Sequence, residues 1–308
     1  MNIIVNQSCN KRCSFCFADS VMREKSNMEL SFFENLVMHS PELYIRIMGG
    51  EPTLHPEFFR LLDIVYAYQK VPIIFSNFLF NSDIKNGIIS LIKENKQIKF
   101  LVNIAEITDV DTLINNYKCI YNELRKRNRT DALSCGVTIN SLADEFPNVS
   151  YIESLIKLGL NVESLRFCMM APNTIVNKIA DIKGNYKIGD TLKELCNFCN
   201  EHHLEKTIPE EIYPCTFSNI DDFYFVKQQR SSEEVLPCYI QPPLDVFPDG
   251  TVSFCFPLKE KTNMKITDFD HMKIDVIRNY NKIKTISPTC TSCKYYKIHC
   301  NGACPAWR

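Results

Sequence analysis

Ile3-Ile4-Val5, followed a few residues later by Cys9-Asn10-Lys11-Arg12-Cys13-Ser14-Phe15-Cys16, is the stretch on which the reading of this chain turns. The short β-branched run predicts a strand, and the C-x3-C-x2-C spacing puts three thiols on the loop at that strand's C-terminal end. In α/β barrels that end carries the chemistry. Three cysteines so close together can hold three irons of a cubane cluster and leave the fourth iron open. Ordinary electron-transfer clusters use four thiolates, which closes the cluster. A zinc site would call for a fourth Cys or His nearby, and none follows within the loop.

A second motif, Met48-Gly49-Gly50-Glu51-Pro52, ends another apolar run, Leu43-Tyr44-Ile45-Arg46-Ile47. Glycine lets another molecule approach the backbone closely, and Glu51 offers a carboxylate to a cationic group. With both motifs in hand, the chain resembles the radical S-adenosylmethionine (SAM) enzymes, including an aromatic, Phe15, just before the third cysteine. The resemblance implies a 4Fe-4S cluster on Cys9, Cys13 and Cys16 whose open iron binds SAM. Phe15, Gly49, Gly50, Glu51 and Pro52 then belong to the cofactor site. Ser76-Asn77 and Asn103, at the ends of the next two strands, stand where that family contacts SAM.

At 308 residues the chain is long enough for one large and one small domain. Its formal charge is −1, from 35 basic and 36 acidic residues, so no electrostatic footprint for nucleic acid is present. No apolar run reaches the length of a membrane span. The N-terminus runs straight into a strand, which argues against a cleaved signal peptide. Fifteen cysteines, an odd number in a chain without an export signal, point to metal in a reducing cytoplasm rather than to disulfides.

Strand-like runs at 2–6, 43–48, 72–76, 98–104, 133–139 and 163–168 alternate with amphipathic stretches near 31–39, 55–69, 83–94, 110–127 and 148–159. Ser31-x-x-Glu34 reads as a capping box, and His55-Pro56 as a helix start. Six β-α units in succession predict a parallel sheet with helices outside, in agreement with the partial (β/α)6 TIM barrel of the radical SAM family, here over residues 1–205. A further helix, about 185–203, carries Cys196 and Cys199 on one face, as core.

From about 205 prolines break any long helix. Leu244–Phe247 and Thr251–Phe254 flank Pro248-Asp249-Gly250 and predict a β-hairpin. Cys238 precedes the hairpin and Cys255 ends it. Near the C-terminus stands Cys290-x2-Cys293-x6-Cys300-x3-Cys304. Residues 206–308 thereby resemble the SPASM and twitch domains of peptide-modifying radical SAM enzymes, a small α+β domain carrying one or two auxiliary 4Fe-4S clusters. A full SPASM domain has a further cysteine after its last motif, whereas this chain stops at Arg308. On the twitch pattern Cys238, Cys255, Cys290 and Cys293 share a cluster. On the SPASM pattern Cys290, Cys293 and Cys300 belong to one cluster, and Cys238, Cys255 and Cys304 to another.

Three functions compete: a radical SAM enzyme that cross-links, epimerises or oxidises a ribosomally made peptide; a radical SAM dehydrogenase acting on a small molecule such as an aminoglycoside; and a non-catalytic iron–sulfur or zinc protein. The first two call for an electron donor such as flavodoxin or ferredoxin, and the first for a separate leader-peptide-binding protein. An epimerase must return a hydrogen from a thiol, and Cys168 and Cys215 are the candidates for that role. Arg166 is expected either to point into the barrel or to pair at the surface.

Overall fold

The structure, a computed structural model, describes residues 1–16, 26–106, 108–139, 148–169, 185–208, 212–229, 244–259, 263–266, 269, 271–283 and 288–302. Seven strands lie side by side in chain order, each parallel to the next. They are β1 (Asn2–Asn6), β2 (Tyr44–Gly49), β3 (Val71–Ser76), β4 (Lys99–Asn103), β5 (Leu133–Ile139), β6 (Ser164–Met169) and β7 (Glu205–Thr207). Between them run α1 (Leu30–His39), α2 (Phe58–Ala67), α3 (Ser82–Lys93), α4 (Val110–Arg125), α5 (Val149–Lys157) and α6 (Tyr186–Glu201). This is the α/β partial barrel that six alternating units predicted, with one strand more. β7 is only three residues, Glu-Lys-Thr, without apolar alternation, so no sequence pattern marks it.

The strands form because their apolar residues are buried on both faces, as parallel sheets require: Ile3, Ile4 and Val5 are all buried in β1. Each helix presents one apolar stripe, such as Phe58, Leu61, Leu62 and Val65 in α2. Asn81, Asp109 and Asn148 cap α3, α4 and α5 by accepting from the backbone N–H three residues on. The expected capping box at Ser31 does not form. α1 already begins at Leu30, with Glu29 at its N-cap and no side-chain cap bond. Pro56 does not open α2 either; Pro52 opens a 3-10 turn, Pro52–Leu54, and α2 starts at Phe58. Arg166 is exposed on β6, on the strand face opposite the buried Leu165 and Phe167. Cys196 and Cys199 are fully buried in α6, in the core as expected.

The predicted hairpin is β8 (Asp245–Val246) and β9 (Thr251–Ser253), antiparallel, with Gly250 at φ +76° in its turn. β10 (Met264–Lys265) pairs with β9. The hairpin joins the barrel sheet through β8, which lies parallel to β1 at Asn2 and Ile3. The order is thus β10-β9-β8-β1-β2-β3-β4-β5-β6-β7. Among the described residues, the proline-rich part holds helices that escaped the sequence reading. α7 (Ile220–Gln228) is capped by Asn219 with Asp221 and Asp222 in its first turn. The helix Met272–Ile283 buries Met272, Val276 and Tyr280 at a spacing of four.

Asp245 fastens the hairpin to β1. Its buried carboxylate accepts from Asn2 Nδ2 at 2.7 Å and from Phe256 N. Burial pushes its carboxyl up to about 6. A raised carboxyl contributes stability that is complete below the unfolded value, near 4, and is lost as pH rises through about 6. Denaturant melts of the wild type and of Asp245→Ala should therefore differ more at pH 4 than at pH 7, by at most about 3 kcal/mol at about 1.4 kcal/mol per unit. A difference constant over that range would show that Asp245 does not titrate there.

Candidate metal and cofactor site

β1 ends at Asn6, and the loop from Gln7 to Cys16 turns across the C-terminal ends of β2, β3 and β4. At β2 the backbone makes the contact. Gly50 N donates to Asn6 O at 3.2 Å and Glu51 N to Ser8 O at 2.8 Å, while Asn6 Nδ2 donates to Glu51 O at 2.8 Å. A Cβ on Gly49 would lie 2.3 Å from Asn6 Oδ1, and one on Gly50 would lie 2.2 Å from Ser8 O and 3.0 Å from Cys9 Cβ. Both glycines do permit a close approach, and what fills the space is the chain's own Asn6 at the end of β1 and the Ser8-Cys9 backbone of the cysteine loop.

Glu51 is 1% exposed. Its Oε1 accepts from Thr53 Oγ1 at 2.7 Å, Ser76 Oγ at 2.8 Å and Thr53 N at 3.3 Å; its Oε2 accepts from Asn77 N at 2.8 Å. Burial pushes the carboxyl up, and these donors pull it back. Expected to offer itself to a cation, the carboxylate is engaged in tying the end of β2 to the end of β3. Pro52, also buried, opens the 3-10 turn that Glu51 caps.

The turn after β3 grips the cysteine loop by Asn10. Asn77 Nδ2 donates to Asn10 Oδ1 at 2.7 Å, and Asn10 Nδ2 donates to Leu79 O at 2.7 Å. Phe78 sits between them at φ +60°, unusual for a bulky residue. It is held by Asn116 Nδ2, which donates to Phe78 O at 2.9 Å and Phe80 O at 2.8 Å. At β4, Lys11 is buried and its Nζ donates to Ala105 O at 2.8 Å. Ser14 donates to the Glu106 carboxylate through both its N and its Oγ. Asn103 Oδ1 accepts from Ala105 N at 3.1 Å, and Phe15 packs against Ala105 with Cys13 alongside. The structure thus brings Phe15, Gly49, Gly50, Glu51, Pro52, Ser76, Asn77 and Asn103 to one set of strand ends. Asn10, Lys11 and Glu106 were missed, because spacing between cysteines says nothing about the residues between them.

Cys9, Cys13 and Cys16 are all half-buried. Burial raises the Cys9 and Cys13 thiols; the Lys11 N–H, 3.3 Å from Cys9 Sγ, and the Lys11 ammonium beside Cys13 oppose it. Among the described residues no three His, Cys, Asp or Glu side chains gather as around a single ion. A cubane cluster spreads its ligands over separate irons, so three thiols on one short loop suit it better than they suit one ion. The donor set, soft sulfur without carboxylate or imidazole, fits an iron–sulfur cluster.

Among the other predicted ligands, Cys255, Cys290, Cys293 and Cys300 are half-buried, and Cys238 and Cys304 lie outside the described residues. Cys168 is half-buried near the end of β6. Cys215 lies in a 3-10 turn, Pro214–Thr216, with Cys290, Cys293 and Cys300 as its electrostatic neighbours.

Gly50→Ala should displace Ser8 and Cys9 and lower the iron retained after anaerobic reconstitution. Glu51→Ala should do the same and lower stability by roughly 2–4 kcal/mol, since it strands buried donors at about 1–3 kcal/mol each. A Gly50→Ala protein that holds the wild-type iron content would show that the loop adapts to a side chain.

No family model and no curated protein matches the chain. Among solved structures it is similar to SuiB of Streptococcus suis bound to S-adenosylmethionine, with a TM-score of 0.69 and 15% identity over 98% of this chain and 72% of that one. SuiB bound to its precursor peptide SuiA gives a TM-score of 0.68 and 14% identity over 98% of this chain and 70% of that one. Identity this low carries architecture, and function must be argued from the site. Over nearly its whole length, the chain has the fold of SuiB.

Proposed function

We propose that this chain is a radical SAM enzyme that modifies a ribosomally made peptide. The observation that carries the proposal is the C-x3-C-x2-C loop seated on the ends of β2, β3 and β4, in a fold shared with a protein crystallised with S-adenosylmethionine. Cys9, Cys13 and Cys16 would hold a 4Fe-4S cluster. When bound, the cluster and SAM supply reductive cleavage to methionine and a 5′-deoxyadenosyl radical, which takes a hydrogen atom from the substrate.

The chain's own residues bind and orient. Asn10 and Lys11 fix the loop to the turns after β3 and β4, so the thiols are positioned before any ligand arrives. Lys11 places a cation beside Cys13, which favours the thiolate that a metal needs. Gly49, Gly50, Pro52, Ser76, Asn77 and Asn103 would frame the SAM pocket. Glu51 acts there by orienting its neighbours, because its oxygens already accept from Thr53, Ser76 and Asn77. Phe15 and Ala105 shield one side of the loop from water.

A peptide is the favoured substrate because SuiB was crystallised with its precursor peptide. Cross-linking, epimerisation or oxidation would then be the reaction, and flavodoxin or ferredoxin the electron source. Residues 206–308 would form the SPASM/twitch-like auxiliary region. If the reaction is an epimerisation, Cys168, near the end of β6, would be the thiol that returns hydrogen. Turnover in deuterated water should then label the product carbon, and Cys168→Ala should stop turnover after SAM cleavage. A product two hydrogens lighter would rule that role out.

Under anaerobic reduction the reconstituted protein should form 5′-deoxyadenosine and hold roughly 8 irons, four per cubane cluster. Replacing Cys9, Cys13 and Cys16 together by Ala should abolish 5′-deoxyadenosine and leave the C-terminal iron. A triple variant that still makes it at the wild-type rate would sink the proposal.

A further inference from the structure

We propose that Cys215, which belongs to no cysteine motif, completes a four-thiol site with Cys290, Cys293 and Cys300 that holds an auxiliary 4Fe-4S cluster. The inference rests on the reading of this chain as an iron–sulfur protein. It adds a fourth ligand, which the cysteine spacing left open.

Three of the thiols share one knot of backbone. Cys293 N donates to Cys290 O at 3.0 Å, Tyr296 N to Cys293 O at 3.0 Å, Cys300 N to Tyr295 O at 3.1 Å, and Lys297 N to Cys300 O at 2.8 Å. Lys297, at φ +61°, lets the chain double back. Cys290, Cys293 and Cys300 therefore come from a single compact turn.

Cys215 reaches this knot from the other side of the sequence. Its turn is packed tightly on α6: a Cβ on Gly189 would lie 2.5 Å from Thr216 O. Thr216 Oγ1 donates to Tyr213 O at 2.8 Å. Phe217, just after the turn, packs edge-on against Phe223 of α7. From the next position of α7, Tyr224 Oη meets His299 Nδ1 at 2.6 Å, with the two rings perpendicular and 5.5 Å apart. His299 is the residue before Cys300, so α7 bridges the Cys215 turn to the Cys290–Cys300 knot. Cys215 and Cys300 both pack, half-buried, against the same core.

The thiols feel one another. Cys215 lies within electrostatic reach of Cys300, Cys293 and Cys290. Cys300 is likewise within reach of Cys290 and Cys293. Four thiols make a soft donor set, and the nearby His299 imidazole is engaged by Tyr224 Oη. Metal binding would take their protons, and four thiolates would close the cluster, leaving no open iron. The site would thus differ from the three-thiol loop and suit electron transfer.

The test uses the full chain carrying Ala at Cys9, Cys13 and Cys16, reconstituted anaerobically with iron and sulfide. Adding Cys215→Ala should lower the iron count by about four, as Cys300→Ala should, and the two together should remove no more. The electron paramagnetic resonance signal of the reduced cluster should vanish or change in both. Cys215→Ser, which keeps the side-chain volume, should alter the same signal in a protein whose circular dichroism melt is unchanged. Cys199→Ala, in the adjoining α6, should leave iron and signal intact. The proposal is overturned if Cys215→Ala and Cys215→Ser retain the iron and signal that Cys300→Ala loses. It is also overturned if the site takes zinc in the presence of both metals. Iron lost on Cys215→Ala, with no 5′-deoxyadenosine from the chain that keeps Cys9, Cys13 and Cys16, would sink the radical reading and leave this one standing.

Discussion

The buried Glu51 carboxylate is the interaction on which the site depends. A charge out of water is costly unless its oxygens are met by donors. Here four donors from Thr53, Ser76 and Asn77 meet them, drawn from the ends of two neighbouring strands. Because Asn77 supplies its backbone N–H to Glu51, its side chain is free to take Asn10. Because the Glu51 backbone takes Ser8 O and Asn6 Nδ2, the other end of the cysteine loop is fixed as well. One acidic residue therefore positions the loop from two sides without touching a thiol.

Strain is concentrated where the loop is gripped. Phe78 and Glu106 both take positive φ, at +60° and +49°, in the turns after β3 and β4. Each costs on the order of 1 kcal/mol or more for a residue with a side chain. Phe78 is compensated by the two Asn116 bonds and by packing on Phe80, Phe100 and Tyr117. Glu106 is compensated by Ser14. Both turns are thus held in one conformation by the core on one side and the cysteine loop on the other. Such pre-organisation suits a site that must receive a ligand without rearranging.

The barrel was legible through β6 because its first six strands and their helices bury apolar residues, from Ile3-Ile4-Val5 to Leu165 and Phe167 on β6. The site was legible where chemistry restricts residue type: thiols at fixed spacing, and glycines where two backbones meet. What lay between could not be read. Asn10 and Lys11 are ordinary polar residues until β3 and β4 supply their partners. The proline-rich part misled for a related reason. Prolines mark the breaks between α7, the hairpin and the helix Met272–Ile283, but each piece buries too few residues to declare its period. In the sequence Cys215 reads as a hydrogen-donor candidate and not as a ligand, because Cys290, Cys293 and Cys300 lie 75 to 85 positions away and arrive only through α7 and Tyr224.

β1 links the two halves of the molecule. At its start, Asn2 and Ile3 pair with β8, and Asn2 shares the Asp245 carboxylate. At its end, Asn6 pairs with Gly49 and releases the chain into the cysteine loop. The hairpin is therefore registered on the same strand that sets the origin of the three thiols. A one-residue slip of β1 would turn Ile3 and Val5 out of the core and carry the loop off Gly50 and Asn77. The slip would also put Asn2 and Asn6 on the face now held by Ile3 and Val5, so the hairpin and the cysteine loop keep one common register on β1.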